Sequence, residues 1–391
     1  MPATTPVPGI PHKPRVAILG TRGIPARYGG FETFAEDLSV RLVEAGFDVT
    51  VICPGEGAPA PTRHRGVTLE YVKSWGQGSA ETLRYDCACL WRARKRFDVV
   101  YMLGYASSPL CFLPRIWGTD VWINMDGIEW RRSKWTGFAR LWLRFTEALA
   151  CRVASRLIFD NQAVADDVMQ RNGGTVTNSV IAYGALLSET EPEQDFLKQH
   201  DLERDEYYLA VCRFEPENQV REIVAAFIES GCSRPLIIVT NAVDTRYSRE
   251  TLALCNERVR FIGSVYDRAN LFSLRTHCRA YVHGHTVGGT NPSLLESMAC
   301  GNLVISHDNP FNREVLDSCG LYFQGSAQLA RALRDVDQME LDARVRKGAQ
   351  ARERVREFYT WEKITRSYVE LLGGSGEPEL ATIEERETRV G

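Results

Sequence analysis

No apolar run in the 391-residue chain approaches the roughly 20 residues that a membrane-spanning helix needs, so any membrane contact is expected to be peripheral. No C-x-x-C occurs among eleven scattered cysteines, which argues against a zinc site or a disulfide framework. Cys87 and Cys89 are too isolated to be ligands, and the cysteines fit reduced, mostly buried thiols of a cytosolic protein. No G-x-x-x-x-G-K-[ST] is present, which excludes a P-loop nucleotidase. Gly20 and Gly23 do not fit G-x-G-x-x-G, which counts against a dehydrogenase. No D-x-D falls on a strand-end loop and no histidines cluster at metal spacing, so metal-independent chemistry is expected. Net charge is only −3, which gives no bias toward nucleic acid. The proline-rich start, MPATTPVPGIPHKPR, has no apolar signal core, and residues 1–14 are expected to be a mobile leader.

What is present is an alternation of short apolar strands and helices. Candidate strands are 16–19, 50–53, 99–103, 121–125 and 157–160, then 207–212, 236–240, 259–262, 280–283 and 303–306. The two series imply an α/β chain of two Rossmann-like domains, 15–185 and 206–355, facing a central cleft. A polar linker, 186–205, joins them. Trp361, Ile364, Tyr368 and Leu371 share a helical face, so residues 356–372 are expected to hold an amphipathic helix, with 373–391 a charged tail.

Two segments carry chemistry. HGHTVGGTNPSLLESMACG, His283 to Gly301, places a glycine loop before a helix opened by Asn291-Pro292 and closed by Gly301. Such a loop suits a phosphate, and Glu296, one turn into the helix, can accept hydrogen bonds from ribose or sugar hydroxyls. The plainer reading is a loop and a short core helix. Residues 16–46 form a second strand–glycine loop–helix unit, with Gly20 to Gly30 as the loop and Phe31, Phe34, Ala35, Leu38, Leu42 and Ala45 on one stripe.

The chain resembles the family 4 retaining glycosyltransferases of the GT-B fold, and within them the bacterial dTDP-rhamnose-dependent rhamnosyltransferase branch. The residues that carry the likeness are TRGIPARYGGFET from Thr21, NMDGIEWRRSKW from Asn124, RFEPEN from Arg213 and HGHTVGGTNPSLLE from His283. They cover roughly residues 15–370 in the order that family requires. The resemblance implies transfer of L-rhamnose from dTDP-L-rhamnose to a lipid-linked saccharide acceptor in polysaccharide biosynthesis. No cofactor and no metal are implied. The alternatives are another nucleotide sugar, UDP- or GDP-linked, or a non-catalytic glycan- or nucleotide-binding relative.

The resemblance also distributes roles: the acceptor to 15–185, the nucleotide sugar to 206–355, and to 356–372 a helix that crosses back onto the first domain. Arg213 would neutralise the leaving diphosphate, and His285, Gly289, Thr290, Asn291 and Glu296 would line the donor site with Gly29 and Gly30. Where relatives carry a lysine, Asn218 stands here, which leaves a neutral donor and passes the missing charge to Arg22, Arg27 or Arg221. Relatives also carry a glutamate where Gly288 stands, and its loss fits a deoxy sugar. Asp126, in a position where many relatives have histidine, would orient the acceptor hydroxyl or take its proton. Its plainer reading is an Asx turn. Asp160 and Glu32 are further acceptor-side candidates, although an acid at Glu32 is also good helix-start chemistry.

Residues 130–156 hold seven basic residues and one acid, interleaved with Trp130, Trp135, Phe138, Trp142 and Phe145. A helix of this kind can lie on an anionic membrane surface, though an ordinary basic solvent face has the same pattern. The expected location is cytoplasmic, at the inner face of the cell membrane.

Overall fold

The computed structural model describes residues 13–26, 29–55, 62–74 and 78–373. Arg27, residues 1–12 of the expected leader and 374–391 of the expected tail lie outside them. The described chain packs as two compact units, one of residues 13–124, 153–157 and 365–373, the other of residues 125–152 and 158–364.

The first sheet is built from β1 (Arg15–Leu19), β2 (Asp48–Pro54), β3 (Arg63–His64), β4 (Val67–Val72), β5 (Val99–Leu103), β6 (Asp120–Asn124), β7 (Arg156–Phe159) and β8 (Thr177–Val180). Its order is β3-β4-β2-β1-β5-β6-β7-β8. The second holds β9 (Tyr208–Val211), β10 (Leu236–Val239), β11 (Val259–Phe261), β12 (Ala280–His283), β13 (Val304–His307) and β14 (Leu321–Phe323), in the order β11-β10-β9-β12-β13-β14. Every pairing in the second sheet is parallel.

Parallel strands need helical crossovers, and those helices bury both faces. The strands are therefore near-continuous apolar runs, as at Val16–Leu19 and Leu236–Val239, all buried. Around the second sheet, Tyr208, Phe227, Leu236, Ile238, Leu329 and Leu333 close one core. Each such side chain contributes about 1.5–3 kcal/mol on burial.

Strand order reverses direction at β1, which has β2 on one side and β5 on the other, and again at β9, between β10 and β12. Ligands of open α/β sheets bind beyond the carboxyl ends of strands at such switch points. The described part of the loop after β1 runs from Gly20 to Ala26, and Gly29 and Gly30 open the helix that follows. The loops after β9 and β12 hold Arg213 and the segment from Gly284 to Asn291.

The ten expected strands all form, most with ends shifted by one residue. Four others went unread. β3 and β14 are only two and three residues long. β8, TNSV, is polar and mostly exposed. β4 buries only its alternate residues Val67 and Leu69, a pattern unlike the continuous runs of the central strands. The final helical stretch is broken. Helix Leu341–Phe358 stops where Thr360 bridges to Ala185, whose amide donates to the Tyr359 carbonyl at 2.8 Å. Helix Trp361–Leu371 then runs into the first unit, where the Tyr368 hydroxyl meets that of Tyr101 at 2.9 Å. All eleven cysteines are free thiols.

Candidate active site

The first unit contributes the loop after β1. Gly20 has φ +80° and a Cβ there would fall 2.3 Å from the Leu103 carbonyl oxygen, so only glycine fits against β5. Glu32, in the first turn of helix Gly29–Glu44, is buried. It accepts the Arg22 amide at 2.8 Å and faces the Thr21 hydroxyl at 3.4 Å. Its carboxylate thus holds the loop. Gly29, with φ +77°, starts that helix, and a side chain there would strike Glu32 Oε2 at 2.8 Å. Nothing lies within 4 Å of a Cβ added at Gly30.

All the other expected site residues lie in the second unit. Because β9 and β12 are neighbours, their outgoing loops run side by side. Val211, at the end of β9, accepts the hydroxyls of Tyr281 at 3.1 Å and Ser293 at 3.3 Å. These bonds hold helix Pro292–Ala299 against the turn that carries Arg213. The Asn291 side chain accepts the Ser293 amide at 2.9 Å, so it caps that helix itself. Anion-binding donors are therefore the loop amides ahead of it. Those of Gly288 and Gly289 have no hydrogen-bond partner among the described residues.

The loop rests on two other backbones. A Cβ at Gly127 would lie 2.9 Å from the Gly288 Cα, and one at Gly289 would lie 1.9 Å from Asp160 Oδ1. Thr290 is buried and its hydroxyl donates to the Asp160 carbonyl. Asp160 is thus sealed beneath the loop, 2% exposed, with Oδ1 unpartnered. Burial pushes its carboxyl well above the ordinary range, and the nearby Asp126 adds to the effect. Asp126 is half-buried, adopts φ +32°, and accepts the Tyr183 hydroxyl at 2.9 Å. Loss of solvent raises it to about 6, opposed by the Arg132 guanidinium.

Arg213 is exposed, with Glu215 as a distant ion-pair partner at 3.7 Å. Asn218 is buried and spends its side-chain amide on the Arg213 carbonyl at 2.8 Å, closing the turn. Of the three cations expected to supply the missing charge, Arg221 faces Glu222 and Glu250 at 3.3 Å and stacks on Tyr247. Arg22 belongs to the first unit. His285 stacks on His283 with ring centroids 4.3 Å apart, and its Nδ1 is unpartnered. Burial lowers it to about 3, helped by Arg213 and Arg132, so the imidazole is neutral. Glu296 is partly exposed and pairs through one oxygen with the buried Arg275 at 2.7 Å.

Two residues beside Asp126 carry no site role in the sequence alone: Tyr183, which orients it, and Arg132, which counts there among the basic residues of 130–156 and is turned inward in the structure. Tyr183 carries no sequence signal. Arg132 lies inside a quoted motif, but nothing in WRRSKW separates the inward Arg132 from the exposed Arg131. Among the described residues, no cluster of histidine, cysteine or acid could hold a metal ion.

Comparison with known proteins agrees with this geometry. The family model described as glycosyl transferases group 1 matches residues 192–354. A domain of unknown function, DUF1972, matches residues 13–186. No curated protein matches the chain in sequence. The sucrose-phosphate synthase of Thermosynechococcus elongatus superposes with a TM-score of 0.78 at 18% identity, over 91% of this chain and 98% of that one. HepE of Anabaena, solved with UDP and glucose, gives a TM-score of 0.73 at 18% identity over 93% and 100%. The α,α-trehalose 6-phosphate synthase of Burkholderia multivorans gives 0.69 at 14% over 93% and 97%. The fold is GT-B, with two parallel-sheet domains.

The packing at Gly289 is directly testable. Gly289→Ala forces a methyl into Asp160, so the loop must shift or the core must open. A cost of about 1–3 kcal/mol is expected, read as a lowered thermal midpoint, together with weaker nucleotide binding. Wild-type values for both would show that the loop does not rest on Asp160.

Proposed function

We propose that the protein is a retaining glycosyltransferase that moves L-rhamnose from dTDP-L-rhamnose to a lipid-diphosphate-linked sugar. The observation that carries the proposal is the pairing, within a group 1 glycosyltransferase domain, of an exposed Arg213 with unpartnered loop amides at Gly288 and Gly289. Backbone amides and a guanidinium suit a leaving diphosphate. HepE, of like fold, is solved with UDP-glucose, and the trehalose-6-phosphate protein of E. coli with UDP-2-fluoro glucose. Glu296 keeps one oxygen clear of Arg275 for a hydroxyl of the nucleotide ribose.

With retention, the acceptor hydroxyl attacks the sugar carbon on the face the diphosphate leaves. The leaving phosphate oxygen takes its proton, and Asp126, held by Tyr183, orients the hydroxyl. Arg213 offsets the charge growing on the diphosphate. No carboxylate pair suited to double displacement was found in the sequence. Glycine at position 288 makes room for a 6-deoxy sugar. Titration calorimetry with dTDP, UDP and GDP, followed by product analysis by mass and NMR, tests the donor. The expected order puts dTDP first. Preference for UDP or GDP would overturn rhamnose and leave the fold intact.

Asp126 gives a second test. It titrates near 6 rather than at the ordinary 3.8, so folding favours its protonated form. Its cost to stability therefore grows as pH rises from about 4 through about 6. Asp126→Asn removes that cost and should melt no lower than wild type at pH 7. Turnover should fall roughly 10²-fold, and the wild-type loss of activity below about pH 6 should vanish. Near-normal turnover would remove Asp126 from the mechanism.

We also propose contact with an anionic membrane. On helix Gly137–Val153, Phe138, Leu141 and Phe145 are 78%, 65% and 52% exposed at one-face spacing. Arg140 and Arg144 flank them. Trp130 instead donates its indole N–H to Glu147 at 3.0 Å and is a packing residue. Vesicle co-sedimentation should rise with anionic lipid and fall with salt. Phe138→Ser with Leu141→Ser should abolish most of it at unchanged thermal midpoint. Equal binding to neutral vesicles would sink the idea.

A further inference from the structure

Arg132 is the one other guanidinium that acts on the same groups as Arg213. Its side chain is only 14% exposed, yet it lies in a loop, directly after the 3₁₀ turn Glu129–Arg131. That loop is pinned at both ends. Upstream, Gly127 abuts the Gly288 Cα at the 2.9 Å approach described above. Downstream, the Ser133 hydroxyl donates to Glu217 Oε2 at 2.7 Å, within the turn after Arg213. Arg132 therefore stands between the glycine loop and the Arg213 turn.

Its orientation is fixed from one side only. Nε faces Glu129 Oε2 at 2.6 Å. Glu129 is in turn held by Lys134 at 3.1 Å and by the Trp135 indole at 2.9 Å. Neither terminal nitrogen of Arg132 donates a hydrogen bond to any described residue, and neither is sealed from solvent. The Nε contact with Glu129 is an ion pair and not a hydrogen bond of good geometry, and a fork with both terminal nitrogens open suits a bidentate oxyanion. The groups around it narrow the choice. Arg132 and Arg213 both depress the His285 imidazole, and both stabilise the Asp126 carboxylate. Glu129, Asp126, Glu215 and Glu217 act on Arg132 as well, so its charge is partly balanced within the protein. Two guanidiniums beside one neutral imidazole, in a loop region with two unpartnered amides, nonetheless offer donors that suit an anion. Asn218, turned onto the Arg213 carbonyl, brings no charge.

We infer that Arg132, with Arg213, binds a phosphate of the nucleotide diphosphate, the pinned loop holding its fork toward Gly288 and Gly289. The inference rests on the nucleotide-sugar reading above. It makes Arg132 a substrate-binding residue contributed by the segment that also carries Asp126. One short loop then holds both the acceptor-orienting carboxylate and a donor-phosphate cation.

Calorimetric titration of Arg132→Gln with dTDP, UDP and the nucleosides thymidine and uridine tests it. Loss of a charge-assisted bidentate contact should weaken the diphosphates by about 10- to 150-fold. The nucleosides should be unaffected and the thermal midpoint held near wild type. Arg132→Lys keeps the charge and loses the fork, so it should give an intermediate loss, and it serves as the readout if the glutamine variant does not fold. Equal weakening of nucleosides and diphosphates, or wild-type diphosphate affinity in both variants, would overturn the assignment while leaving the donor reading in place. A wild-type protein that binds no nucleoside diphosphate would overturn both.

Discussion

The constraint on which the candidate site depends is the meeting of three segments where side chains have no room. Gly127 touches Gly288 at Cα distance, and Gly289 lies on the Asp160 carboxyl. The neighbouring dihedrals follow from it. Gly288 takes φ +138°, Gly127 φ +72° and Asp126 φ +32°, the last a conformation aspartate tolerates better than most residues. A glutamate at position 288 would be strained by that φ even though the space around it is open. The absent carboxylate at 288 is therefore a consequence of how the loop lies, as much as a change in what it recognises.

Burial then sets the charges. Asp160, sealed under the loop, is shifted toward its protonated form, and His285, packed on His283, is held neutral. Asp126 is left near the middle of its titration at mildly acidic pH by two opposed causes, lost solvent and the Arg132 guanidinium. Arg132 and Arg213 stay charged throughout. A neutral imidazole and a carboxyl shifted toward its neutral form by desolvation, beside two permanent cations, suit an oxyanion. Glu129 stands 2.6 Å from the Arg132 Nε. Glu215 stands 3.7 Å from Arg213, and Glu217 is occupied by Ser133.

Much of this was legible in the residues. Apolar runs such as VVYML and LIIV mark buried parallel strands wherever they occur, and all ten such strands form. The motifs fall on loops because Gly, Asn-Pro and Asp at strand ends can do little else. The polar edge strand β8 and the three-residue β14 were illegible, since pairing rather than composition makes them strands. Within the site, residue types showed where chemistry gathers but not which way each side chain turns. Asn218 reads as a donor to a ligand, yet it bonds its own turn. Asn291 reads as a cap and is one. Arg131 and Arg132 are identical letters in sequence. Only the pinning of their loop at Gly127 and Ser133 turns one toward Asp167 at 2.9 Å and the other inward.

That difference explains how a single-residue change at 218 can be absorbed. A cation after β9 shares the turn of Arg213, whereas Arg132 lies on a separate loop, with its own ion-pair partner in Glu129. Because Gly127 and Ser133 tie that loop to the glycine loop and to the Arg213 turn, its position follows theirs closely. A shift of the glycine loop on binding donor would then move Asp126 and Arg132 together. Placing the acceptor-orienting carboxylate and a phosphate cation on one rigid loop couples their geometry through six residues of backbone, and side-chain flexibility has little part in it.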